Sequence, residues 1–248
     1  MALRKAFTAD VVKFDRKVFI NDVWDYHPGD CVTVLAPMGG GKTQIAYQLL
    51  GATATPDLPA VVMVMKPRDK TVTKFSQQHK FRTVRDWPPS QLQKRVVRPP
   101  GWVLWPRESG DPDWDDERHE RIFRSALRGL YSGSGVGKDG RIIFADETYS
   151  LEKELNMEKD LRRLWTKGRS LDTGLWAASQ RPVWISRWAF QAQHLFLGND
   201  PDVDAQRRYG EIGGGIDPDV VRHVVSRLGR WEFAYINREE RTMCIVSA

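Results

Sequence analysis

A chain of 248 residues, 41% of them hydrophobic, is long enough for one sizeable α/β core and leaves little for a second large domain. Mean hydropathy of −0.50 and the lack of any apolar run near about 18 residues exclude a membrane span. The opening Met-Ala-Leu-Arg-Lys lacks the apolar core of a secretion signal, so the expected location is a cytoplasm.

The net charge of +6 is placed unevenly. Between Lys66 and Arg107 stand eleven Lys/Arg against two acids, Asp69 and Asp86. That excess of nine exceeds the surplus of the whole chain. Clustered cations of this kind suit a polyanion, because neutralising phosphates releases condensed counterions. Cys31 and Cys244 both lie in apolar runs and read as buried thiols rather than a disulfide.

In chain order, Val11 to Ile20 alternates and predicts a lead-in strand. Residues 1–27 therefore read as an N-terminal lead-in and 28–248 as the main domain. Cys31 to Leu35 predicts a buried strand running into a glycine-rich loop. Lys42 to Leu50 predicts a helix stopped by Gly51. Ala60 to Met65 is a second buried strand. The basic segment 66–107, broken by Pro88-Pro89 and Pro99-Pro100, predicts loops with short helices, and Trp102 to Trp105 a strand. Trp114 to Tyr131 is a helix with Asp113, Asp115, Asp116 and Glu117 near its start, where the dipole favours them. A Ser/Gly loop (132–140) leads to a strand, Arg141 to Ala145. A polar helix over Leu151 to Lys167 precedes a strand over Leu175 to Ala178. Asp217-Pro218 opens a helix ending at Gly229, and two strands joined near Asn237 close the chain. Strands alternating with helices predict an α/β fold with a mainly parallel sheet covered on both faces.

Ala36-Pro37-Met38-Gly39-Gly40-Gly41-Lys42-Thr43, between a strand and a helix, has the form of a phosphate-binding loop. Its glycines let successive N–H groups turn inward on phosphate oxygens, and the helix N-terminus adds its positive end. Pro37 to Gln44 are thus the candidate nucleotide-binding residues. Lys42 reaches the β- and γ-phosphates and Thr43 ligates Mg²⁺ in such loops. Ala36 departs from the strict pattern, which has Gly there. An apolar strand ending in Asp146-Glu147 places Asp146 as a second Mg²⁺ ligand and Glu147 as the group that polarises the attacking water. Gln180, at the end of another strand, is placed to sense the γ-phosphate.

Several look-alikes fail on their spacing. Asp200, Asp202, Asp204 and Glu211 have EF-hand intervals, but Ala205 holds the obligatory Gly position, so a capped helix start is the better reading. Gly133 to Lys138 echoes a phosphate loop but precedes a strand. The five histidines are too scattered for a zinc site, and no nucleophile elbow is present.

Leu161 to Ser170, Gly174 to Pro182 with its Ala-Ser-Gln-Arg-Pro, and the tail from Phe196 through Leu228-Gly-Arg-Trp-Glu-Phe resemble the FtsK/HerA family of DNA-pumping ATPases. The resemblance covers roughly residues 28 to 236, and the basic segment has no counterpart in it. It implies a RecA-like (ASCE) P-loop domain, with phosphate-loop and Walker B strands adjacent and the site at the strands' carboxyl ends. It implies ATP and Mg²⁺ as cofactors, double-stranded DNA as partner, and a homo-oligomeric ring, pentamer or hexamer. Arg169 matches the family's arginine before the sensor strand and is the first choice for a finger acting on a neighbouring subunit's site, with Arg181 second. Members this short, without membrane helices or a nuclease, resemble viral genome-packaging ATPases, which implies docking on a capsid portal in the host cytoplasm. The competing readings are a plasmid or cellular DNA-transfer motor and an ATP-dependent assembly switch. A switch has no need of Glu147 and Gln180.

Overall fold

The computed structural model describes residues 11–89, 98–133, 138–180 and 182–248. Apolar runs with no polar alternation must be covered on both faces. Val32–Leu35 (β2), Ala60–Met63 (β3), Gly101–Leu104 (β5), Arg141–Ala145 (β6), Thr173–Ser179 (β7) and His194–Gly198 (β8) are buried along their whole length. With Lys13–Asp15 (β1), Arg82–Val84 (β4), Phe233–Asn237 (β9) and Thr242–Ser247 (β10) they form one sheet, ordered β1-β10-β9-β8-β2-β7-β6-β3-β5-β4. Among the described residues only β9 is antiparallel to its neighbours.

Successive strand residues point to opposite faces, and each face has its own core. On one side Val34, Phe144 and Trp176 pack against Ile45, Leu49 and Leu50 of helix α2 (Lys42–Thr53) and Phe75 of α3 (Lys70–Gln78). On the other, Val61, Ile143 and Leu175 meet Ile122, Phe123 and Leu127 of α4 (Pro112–Tyr131) and Leu161 and Leu164 of α5 (Glu158–Lys167). Each such side chain stabilises the fold by about 1.5–3 kcal/mol when fully buried. Both cysteines are buried free thiols.

Several elements depart from the expectation. The phosphate-loop and Walker B strands are not adjacent, because β7 hydrogen bonds to both β2 and β6. The lead-in strand is three residues long. Asp15 accepts from the Lys17 N–H and caps a helical turn, α1 (Arg16–Val18), which continues as a π-helix over Phe19–Val23. Phe19 is thereby buried against Tyr235 and Phe196, with ring centroids 4.8 and 5.8 Å away. Gly51 does not stop α2; it lies inside it, where a Cβ would sit 2.3 Å from the His79 ring. The helix expected over Leu151–Lys167 is broken into a π-turn, Ser150–Glu154, and α5 by Asn156 in the left-handed region (φ 51°). Asp202 caps the short α6 (Val203–Arg207). The final helix, α7 (Pro218–Val225), ends four residues before Gly229. The basic segment adds an edge strand, β4, that its composition did not announce. Lys94 and Arg95 of that segment, and residues 134–137 of the Ser/Gly loop, lie outside the described residues.

Candidate functional site

β2 delivers the chain into the loop 36–41, and α2 begins at Lys42 with Gly41 as its cap. Gly41 has φ 87°, a conformation that strains any side-chain-bearing residue. Ala36 has no positive φ, so the departure from Gly there carries no backbone penalty. The Gly40 N–H donates to the Pro37 carbonyl at 3.0 Å, and the Lys42 ammonium donates to the same carbonyl at 3.3 Å. Lys42 is buried, and burial pushes its pKa down, with Glu147 and Asp146 drawing it back up. The phosphate-loop lysine and the two acids after β6 therefore share one electrostatic site.

Asp146 is buried, and burial raises its carboxyl pKa, with Lys66 opposing. Its Oδ2 accepts from the Lys66 ammonium at 3.3 Å, while its Oδ1 is sealed from solvent without a hydrogen-bond partner. An orphaned carboxylate oxygen costs about 1–3 kcal/mol or more. Mg²⁺ takes oxygen donors of this type, and Asp146 with the half-buried Thr43 hydroxyl at the start of α2 fits that ion. Glu147 is half-buried and its pKa is raised by burial. Its Oε2 accepts from the Gln180 side-chain amide at 3.0 Å. Because β7 separates β2 from β6, the end of β7 presents Gln180 between the loop and the acids.

Lys66 was legible only as one cation of the basic segment. Burial alone lowers its pKa, but Asp146, Asp69 and Glu147 together hold it raised. Its ammonium lies 3.3 Å from Asp146 and 3.7 Å from Asp69. Asp69 in turn caps α3, accepting from the Thr71 and Val72 N–H groups. The signal that could have found Lys66 is its place just beyond a buried strand, at the same sheet edge as the phosphate loop. Trp231 was also missed as a site residue: its indole N–H donates to the Gly39 carbonyl at 3.1 Å.

Arg169 stands apart from this cluster. It precedes β7, at the amino edge of the sheet, and seven strand residues at about 3.3 Å each put it roughly 20 Å from Gln180. There it pairs with Glu239 in the β9–β10 turn and lies 3.9 Å from Asp30. It therefore lies too far away to reach the phosphate loop of the same chain. Arg181 lies outside the described residues. No described helix is long and apolar enough to cross a membrane.

No protein-family model and no curated protein matches the sequence. Solved structures do match in fold. The genome packaging NTPase B204 from Sulfolobus turreted icosahedral virus 2, bound to ATP-gammaS, superposes with a TM-score of 0.57 at 16% identity, over 90% of this chain and 98% of B204. VirB4 of Thermoanaerobacter pseudethanolicus gives 0.64 at 10% identity, over 88% of this chain and 89% of VirB4. The monomer of TcpA, the pCW3 conjugation coupling protein, bound to ATPgS, gives 0.51 at 13% identity, over 89% of this chain and 60% of TcpA. The fold is that of the P-loop ATPases, in keeping with the resemblance carried by the Ala-Ser-Gln-Arg-Pro and phosphate-loop motifs.

Proposed function

We propose that the chain is an ATP-hydrolysing motor that moves double-stranded DNA, and that its role is to package a viral genome into a preformed capsid. The observation that carries the ATPase reading is the meeting of Lys42, Asp146, Glu147 and Gln180 at the carboxyl ends of three neighbouring strands. The loop N–H groups and Lys42 bind the phosphates of ATP. Thr43 and Asp146 would hold Mg²⁺, which supplies charge neutralisation at the phosphates. Glu147 takes a proton from water as the water oxygen bonds to the γ-phosphorus and the bond to the β-phosphate bridging oxygen breaks. Gln180, bonded to Glu147, is placed to report whether a γ-phosphate is present.

The DNA reading is supported by the surface beside this site. A groove of about 510 Å³ is lined by Arg68, Lys70, Lys74, Arg85 and Trp105. It carries four cations on and around α3, whose capping Asp69 is tied through Lys66 to Asp146. The packaging reading is supported by near-complete coverage in both directions with B204. VirB4 and TcpA favour conjugative DNA transfer as the second reading. Binding to a capsid portal protein, present for packaging and absent for conjugation, separates the two. The proposed motor is a homo-oligomeric ring in which Arg169 of one subunit acts on its neighbour's site.

The deciding experiment is steady-state ATPase activity of wild type and Glu147→Gln, with and without long double-stranded DNA at low salt. The expected result is DNA-stimulated turnover that weakens with salt and falls by about 10²–10⁴ in the variant, with ATP binding retained. Hydrolysis indifferent to DNA would replace the motor with an assembly switch.

A further inference from the structure

Trp231 combines features that packing alone does not require. It is a bulky residue held at φ 65°, in the left-handed region that side chains other than Gly, Asn and Asp rarely occupy. The residue remains 41% exposed. The strained backbone is pinned, because the Arg16 guanidinium donates to the Trp231 carbonyl at 2.7 Å. Arg16 itself is buried, with an Nε that has no partner.

The ring is held against the phosphate loop. Besides the indole bond to Gly39, a Cβ on Gly41 would meet the Trp231 ring at 3.2 Å. Two cavities flank this contact. One, of about 610 Å³, is lined by Gly41, Lys42, Thr43 and Gln44. The other, of about 690 Å³, is lined by Arg16, Lys17, Trp231 and again Gln44. Gln48, Gln78 and His79 also border both. The two cavities thus adjoin along α2, and Trp231 lines the second of them beside the phosphate loop.

We propose that Trp231 is the platform on which the nucleobase of the bound nucleoside triphosphate stacks. The inference rests on the ATPase reading of the phosphate loop and adds the part of the ligand that the loop does not hold. Gln44, in the first turn of α2, lines both cavities, so a nucleotide with its phosphates on the loop would have the Trp231-lined cavity directly beside it. Arg230 lies over the ring at 4.4 Å from its centroid, and Trp231 lines the second cavity. A flat aromatic base gains by stacking there, and a base-free polyphosphate gains nothing from it.

The test is calorimetric binding of ATP and of inorganic tripolyphosphate, each with Mg²⁺, to wild type, Trp231→Ala and Trp231→Phe. Wild type is expected to bind ATP more tightly than tripolyphosphate. Trp231→Ala should weaken ATP by about 10-fold or more and leave tripolyphosphate unchanged. Trp231→Phe, which keeps a ring but loses the donor to Gly39, should stay within a few-fold of wild type for ATP. Equal loss of both ligands in Trp231→Ala, or a Trp231→Phe as weak as Trp231→Ala, would reduce Trp231 to a clamp on the loop. Equal affinity of wild type for the two ligands would overturn the platform while leaving the phosphate loop intact. Wild type binding neither would overturn the ATPase reading and this proposal together.

Discussion

Lys42 and His119 show how burial sets the behaviour of single residues. Lys42 is a buried cation whose pKa is lowered by that burial and partly restored by Glu147 and Asp146. Lys42→Ala removes the positive charge proposed to meet the phosphates, so ATP affinity should fall below calorimetric detection while the melting temperature without nucleotide holds or rises. His119 on α4 is buried with its Nε2 unpartnered, its ring 5.6 Å from that of Phe123. Burial holds its pKa below the ordinary 6.5, with Asp115 opposing. The fold thus favours neutral His119, and the unfolded chain takes up the proton first as pH falls. Stability from this group is complete above about 6.5 and drains away as pH drops through that value toward the lowered one. Thermal melts of His119→Phe between about pH 7 and pH 5 should fall less steeply than those of wild type. An identical slope in the variant would remove His119 from the acid response.

At the level of elements, the link from β6 to α3 matters most. Lys66 bridges the Asp146 carboxylate and the Asp that caps α3. Removing its charge in Lys66→Met leaves Asp146 buried without a counterion. Because the lysine is partly exposed, the loss should be about 1–2 kcal/mol, between the values for an exposed and a fully buried pair. Added Mg²⁺ should then raise the melting temperature of Lys66→Met more than that of wild type, since a cation replaces the missing ammonium. An equal rise in both would mean that Lys66 does not compensate Asp146. This link was closed to sequence reasoning because it joins residues eighty positions apart. The neighbouring motifs were legible because each is local. Glycines beside a lysine, and acids at the end of an apolar run, report their backbone context within a few residues. What local pattern cannot report is sheet order, so the insertion of β7 between β2 and β6 came only with the fold. Short edge strands such as β4, only partly buried and rich in polar residues, leave too little periodicity to detect.

For the whole molecule, the sheet puts the candidate finger and the candidate catalytic residues on opposite edges. Arg169→Ala should bind ATP like wild type and fail to turn it over. Mixing it with Glu147→Gln should restore some ATPase activity, because a subunit with an intact site then meets a neighbour with an intact Arg169. No recovery at any mixing ratio would count against Arg169 as a finger. The α/β class and the two-faced core were readable from buried runs alternating with amphipathic helices. The basic segment was readable as a charge anomaly, but its fold was not, since solvated cations mark no periodicity. The strand joining Arg169 to Gln180 has one further consequence. β7 is hydrogen bonded along both edges and buried on both faces, so it has no compliance of its own. It acts as a lever. A displacement at its amino end is expected to reach Gln180 by the strand and its neighbours moving as one body. Amide exchange within β7 should therefore stay slow and unchanged with nucleotide, and the loops at its two ends should carry any difference.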